Sequence, residues 1–206
     1  MADRKHGAPA PETTSTIRDE EWDGRDLAGE KFERVAFIDV DFTEMVNEGA
    51  VFTECAFRSV RFNASAHTGA AFLNCTFTRC NFFDATFTGC KLVGSMFDGG
   101  SFDLLKVTGG DWSFTGLPGA KLGSASFADV RMREVDLTGA QCAGACLRGV
   151  DLSGAWLHRA DLSRADLRGS DLSSLDPLTV DLKGAKIDAY QAVIIAMTMG
   201  LDVRDD

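Results

Sequence analysis

The chain is poor in the residues on which most side-chain chemistry depends. Three His, one Tyr and four Pro occur in 206 residues. The His residues (His6, His67 and His158) lie far apart, no nucleophile–base pairing is visible, and no glycine-rich phosphate loop is present. An enzyme is therefore not expected, nor is a cofactor. The six Cys contain no C-x-x-C pair, which removes the usual zinc spacing, so no metal is expected. No apolar run is long enough to span a bilayer, which argues against a membrane role. Met1–Thr16 is rich in Ala, Pro, Glu and Thr and lacks the hydrophobic stretch of a secretory signal. The expected location is the cytoplasm, where the Cys stay as thiols rather than forming a disulfide framework. A basic excess is missing too: 21 Lys and Arg face 31 Asp and Glu, a net charge of −10. Direct nucleic-acid binding is not expected from that balance.

What the chain does have is a beat of five. From Leu27 to Ile187, stepping by five, 33 positions share one phase, and only Asn47, His67 and Pro177 among them are polar or conformationally awkward. Thirteen of the 15 Phe fall on this phase, where about 3 would by chance. A period of five is neither the 3.6 of a helix nor the 2 of a strand; it marks a solenoid. Each unit reads small–x–large–x–x, as in Ala160-Asp161-Leu162-Ser163-Arg164. Alternation places the small and the large residue on the same side of an extended segment. The next two residues form turns, as Ser153-Gly154 does. Each pentapeptide is one edge and one corner, and four of them close a square coil. Stacked at roughly 4.8 Å, about 8 coils give an all-β rod of roughly 39 Å.

The repeat also accounts for residues that would otherwise suggest chemistry. Asp151, Asp161, Asp166, Asp171 and Asp181 each precede a central apolar residue, so their spacing is structural. Cys55, Cys75, Cys80 and Cys90 occupy the small inward slot, where Cys is a compact hydrophobe; Cys142 takes a central slot. Asn47 and His67, 20 residues apart, stack in adjacent coils, either as a polar site or as a core pair that satisfies itself. Pro177, without an N–H, marks a bulge or break.

The stretch "GAAFLNCTFTRCNFFDATFTGCKLVGSMF" (Gly69–Phe97), "RADLRG" (Arg164–Gly169) and the tail "GAKIDAYQAV" (Gly184–Val193) resemble the pentapeptide-repeat proteins, and within them the quinolone-resistance group of Mfp and Qnr proteins. The resemblance implies a right-handed quadrilateral β-helix, a homodimer joined through a short C-terminal helix, and DNA gyrase as partner, bound by mimicry of duplex DNA. The other function open to such a rod is a scaffold or immunity protein for a different partner. The unbroken frame excludes sizeable inserted loops, which favours the plain Mfp-type rod.

Three regions follow: a flexible tail over 1–20, the β-helix over 21–187, and a capping or dimerisation helix with its tail over 188–206. Asp188 is placed to cap a helix from Ala189, with Gly200 as its stop. That helix is apolar on most sides, so Tyr190, Val193, Ile194 and Met197 are the candidate dimer contacts, the alternative being a monomeric cap. Acidity concentrates at the ends: residues 1–60 hold 14 acids against 7 bases, and residues 61–130 hold 5 of each. Candidate partner-binding acids are Glu30, Glu33, Asp39, Asp41, Glu44, Glu48 and Glu54. Outward slots with apolar residues, Leu73 with Val93 and Phe83 with Leu104, are candidate partner contacts.

Overall fold

The computed structural model describes residues 10–204. The beat of five becomes a square-sectioned stack of coils with parallel strands. Every backbone pairing joins residues 20 apart, as in Ser15↔Val35 and Lys106↔Ser126. Four faces result. The first carries β1 (Ser15–Arg18), β3 (Val35–Ile38), β6 (Ala56–Arg58), β9 (Thr76–Thr78) and β11 (Met96–Asp98). Single bridges carry this face on through Gly116, Asp136 and Trp156. From Thr16 to Trp156 it takes seven 20-residue steps, which join eight levels. The fourth face carries β2 (Lys31–Glu33), β5 (Val51–Thr53) and β8 (Ala71–Leu73). The third carries β4 (Val46–Glu48), β7 (Ala66–Thr68), β10 (Thr86–Thr88), β12 (Lys106–Thr108), β13 (Ser126–Ala128) and β14 (Cys146–Arg148). The second face has no strand among the described residues; bridges such as Glu21↔Asp41↔Arg61↔Asn81↔Ser101 hold it. α1 (Ala189–Thr198) follows the last coil.

The central residues fill the axis. Their rings stack in columns at the coil rise: 4.9 Å from Phe37 to Phe57, 4.8 Å on to Phe77 and 4.6 Å on to Phe97. These spacings match the strand separation expected of a sheet. Beyond Phe127 the central position is mostly Leu, equally buried as far as Leu172. Cys55, Cys75, Cys80, Cys90 and Cys142 are buried free thiols. Burial pushes the Cys80 and Cys142 thiols up to about 12.

The corner two residues after a central position takes the left-handed conformation at every repeat from Ile17 to Leu182 except at Ser124, Ser174 and Thr179. Where it is Gly, as at Gly139 with φ +65°, there is no strain. Sixteen non-Gly residues of the described chain hold a positive φ, all at this corner, Leu104 among them at +59°. The Asp ladder closes these turns. Asp161 Oδ1 accepts the Ser163 N–H at 2.9 Å, and Asp151, Asp171 and Asp181 do the same for Ser153, Ser173 and Lys183. Each carboxylate thus fixes the corner that follows it.

Asn47 and His67 form a self-satisfied core pair. Asn47 Nδ2 donates to His67 Nδ1 at 3.1 Å, and Asn47 Oδ1 accepts the Ala50 N–H. His67 Nε2 then donates to Ser65 Oγ at 2.9 Å, whose hydroxyl donates to the Phe62 carbonyl. The ring stacks on Phe87 at 4.4 Å. Burial lowers the His67 pKa to about 3, so the imidazole stays neutral.

One boundary differs from expectation, and one expected break is found. The β-helix starts before residue 21: Ser15–Arg18 pairs with Val35–Ile38, so this part of the expected tail belongs to the first coil. Ile17 stands in the repeat phase and packs against the core, and Trp22 lies over Phe42 at 5.3 Å. Residues 1–9 of the expected tail lie outside the described residues. At the other end Pro177 does break the wall: Asp176 makes no bridge to Trp156, and the Arg159 N–H reaches Thr179, one residue beyond the regular register.

Candidate interaction surfaces

Folding the chain modulo 20 sorts the acidic candidates by face. The second face and its two corners carry Asp19, Glu20, Glu21, Asp23, Asp39, Asp41, Glu44, Asp84 and Asp103 over its first five levels, against Arg61 and Arg79. Asp39, Asp41 and Glu44 therefore share one surface. The other four candidates do not join them. Glu33 is on the fourth face, Glu48 on the third, Glu30 at the corner entering the fourth, and Glu54 at the corner leaving it. Glu54 lines a separate recess of about 560 Å³ with Arg34 and Asn74.

Several of the gathered acids have partners. Arg61 bonds Asp41 at 2.6 Å and approaches Glu21 at 3.9 Å; Arg18 lies 3.7 Å from Asp39. Partial burial opposes ionisation of Asp41, but hydrogen bonds from Arg61 and Thr43 outweigh it and bring the carboxyl down to about 2. Beyond level five the same face turns mixed, with Lys121, Arg159, Arg164 and Lys183 beside Asp161 and Asp181.

Phe83 and Leu104 stand on this same face, 46% and 47% exposed. Leu73 and Val93 stack on the fourth face but are half-buried, so they present less surface than their sequence slot implies. Just beyond Leu104 the wall of the second face opens. A regular level is joined by bonds such as Phe82 N–H to Ser101 O at 2.8 Å and Leu122 N–H to Gln141 O at 2.7 Å. Between these levels the corresponding bonds are missing: Gly99, Phe102 and Lys121 donate to no carbonyl of the described residues, and the Leu104 N–H turns to Ser124 Oγ at 3.3 Å. A recess of about 460 Å³ fills the gap, lined by Phe97, Gly99, Phe102, Pro118, Ala120 and Lys121, among others. The frame of five runs through this break without a slip, so periodicity does not reveal it. The Gly99-Gly100 pair and Pro118 are its only signals in the sequence.

At the C-terminal end, α1 seals the last coil through a residue that pattern reasoning overlooks. Gln191 is buried, and its Nε2 donates to the carbonyls of Leu167 and Ser170 at 2.6 and 2.7 Å. Its backbone N–H and side-chain carbonyl complete a capping box with Asp188. Asp188 also accepts the Gly169 N–H at 3.0 Å. Ile195 faces the core and Ile194 is half-buried. Tyr190, Val193 and Met197 remain exposed along one side of the helix, Tyr190 at 75%.

Among the described residues no group of His, Cys, Asp and Glu could hold a metal ion, and no helix is long and apolar enough to cross a membrane. The family described as Pentapeptide repeats matches this chain in eight copies, over residues 68–99, 117–154 and 145–186. No curated protein sequence matches it. Solved structures of QnrB1, a plasmid-mediated fluoroquinolone resistance protein, share its fold. One trypsin-treated variant is 27% identical, with a TM-score of 0.51, covering 93% of this chain and 99% of that one. A second is 26% identical with the same TM-score, covering 94% and 99%. Full-length QnrB1 is 22% identical at a TM-score of 0.51, covering 92% and 99%.

Proposed function

This chain is a pentapeptide-repeat protein, and from that premise we propose that it binds DNA gyrase in the cytoplasm as a protein mimic of duplex DNA. In that role it inhibits the enzyme or shields it from quinolone-type drugs. The observation that carries the reading is the acidic stripe on the second face, laid along a straight rod of narrow section. The likeness to QnrB1, a fluoroquinolone resistance protein, supports the choice of partner. A gyrase saddle that holds DNA is basic, and an acidic rod is complementary to it. The rod works by binding rather than by catalysis.

The mimic acts as a homodimer. α1 seals the coil with Gln191 and Ile195 and leaves Tyr190, Val193 and Met197 uncovered, with Ile194 at the edge of that strip. Two rods joined end to end there run roughly 80 Å at ~4.8 Å per coil, with the two acid stripes toward the outer ends. Adding purified protein to a gyrase supercoiling reaction tests the reading. Inhibition that weakens with rising salt is expected, and drug-stabilised cleavage should fall. Absence of inhibition, drug protection and low-salt binding together would remove it.

One observation favours the alternative of a scaffold or immunity protein with another partner: the acids of the second face gather on its first two levels, and the next three carry Asp84 and Asp103 against Arg61 and Arg79. A partner with a shorter basic surface fits that extent better than one shaped for a long duplex. Pull-down from a bacterial lysate at low and high salt separates the two, gyrase subunits being recovered only under the first reading.

A further inference from the structure

We propose that the break in the second face is a docking slot for an extended segment of a protein partner, one with small apolar side chains flanked by Lys or Arg. The slot is a specific place on the rod whichever protein bears the segment, so the inference goes beyond the gyrase reading and does not depend on it.

Three observations point to an extended peptide. First, the slot is edged by backbone groups without ladder partners: the N–H groups of Gly99, Phe102 and Lys121, where regular levels bond. An extended chain offers carbonyls at strand spacing and satisfies such an edge, as strand addition does elsewhere. Second, the recess of about 460 Å³ is walled by Phe97, Phe102, Pro118 and Ala120, which suits small apolar side chains and excludes a duplex. Its mouth is flanked by exposed Phe83 and Leu104. Leu104 sits at φ +59°, a conformation unfavourable for a bulky side chain, at a corner that Gly occupies at Gly24, Gly144 and Gly184. Third, two carboxylates border the slot. Asp84 is bonded by Lys106 at 2.8 Å, and Asp103 accepts only hydroxyls, from Ser101 at 3.3 Å and Ser124 at 3.1 Å. A basic residue flanking the bound segment meets Asp103, which no cation of the described residues neutralises.

The test uses the full-length protein and a capped heptapeptide, Lys-Thr-Val-Ala-Val-Thr-Lys, followed by amide NMR. The expected result is saturable shifts centred on Gly99, Phe102, Leu104 and Lys121. The same peptide with its central Ala-Val amide replaced by an (E)-alkene isostere, which leaves no carbonyl there to accept from the slot's N–H groups, should bind about tenfold more weakly. Leu104→Gly, which relieves the corner and so does not endanger folding, should also weaken binding; Ala120→Trp, which fills the recess, should abolish it. Shifts confined to the Glu21–Glu44 stretch, or equal affinity for the alkene-containing peptide, would show charge attraction alone and overturn the proposal. Absence of binding overturns it as well. So does slow exchange of the Gly99, Phe102 and Lys121 amides in the free protein, matching Phe82, since the wall would then be closed. A change of sedimenting mass in Leu104→Gly would assign the slot to a second copy of the chain and equally overturn it.

Discussion

His67 occupies a slot that aromatic stacking would fill with Phe, and hydrogen bonds to Asn47 and Ser65 keep it there without charge. The folded protein holds it neutral down to about pH 3, whereas the unfolded chain protonates it near 6.5. Between those values the unfolded state binds the extra proton, so stability rises with pH. This contribution is complete above about pH 6.5 and is lost as pH falls toward 3, on the order of 5 kcal/mol in all. Denaturant melts of the parent and of the double variant Asn47→Leu/His67→Phe, compared from pH 7 to 4, should show a steeper acid loss in the parent. The single variant His67→Leu strands the Asn47 amide and should cost about 1–3 kcal/mol at pH 7. Asp161→Ala removes a turn closure without touching the core and should cost about 1 kcal/mol by thermal melting. Such a modest loss, with the coil intact, would mark the Asp ladder as structural. The alternation in each pentapeptide made the inward positions legible, Cys slots included, because burial follows directly from the pleat. The bond from the Ser65 hydroxyl back to the Phe62 carbonyl was not legible, because it depends on the geometry of the turn between them.

Between the elements, the strands depend on their neighbours and α1 depends on the last coil. Gln191 is the joint, filling open carbonyls that the next coil would otherwise take. Gln191→Leu should lower the melting temperature and loosen α1, read as faster amide exchange over Ala189–Thr198. Met197→Asp alters only the exposed side, so in sedimentation it should halve the mass of a dimer while leaving the coil's melting temperature near the parent's. An unchanged mass in both proteins would make α1 a simple cap. The helix and its cap were readable from Asp188 and Gly200. The division into a coil-facing and a free side was not, because α1 is apolar nearly all round. The first coil could have been placed by extending the phase back to Ile17 and Trp22. The Thr-rich and charged residues around Ser15–Arg18 masked it, since an end coil exposes most of its side chains.

Over the whole molecule, charge and shape decide what the rod can imitate. Duplex DNA carries a charge every ~1.7 Å, so an 80 Å length holds roughly 47. A dimer of this chain, at −10 each, holds −20. The deficit is partly met by distribution, because the first two levels place seven acids and no base on one face. This grouping was present in the sequence at a period of 20 but obscured in net charge by segment, which averages all four faces. The most direct measurement is gyrase supercoiling against the parent and the charge-reversed Asp23→Lys/Asp39→Lys/Glu44→Lys variant, with folding verified by circular dichroism. The account predicts that the parent inhibits and that the variant loses at least about tenfold in potency, the loss shrinking at high salt. Equal inhibition by both, or none by the parent, would contradict it.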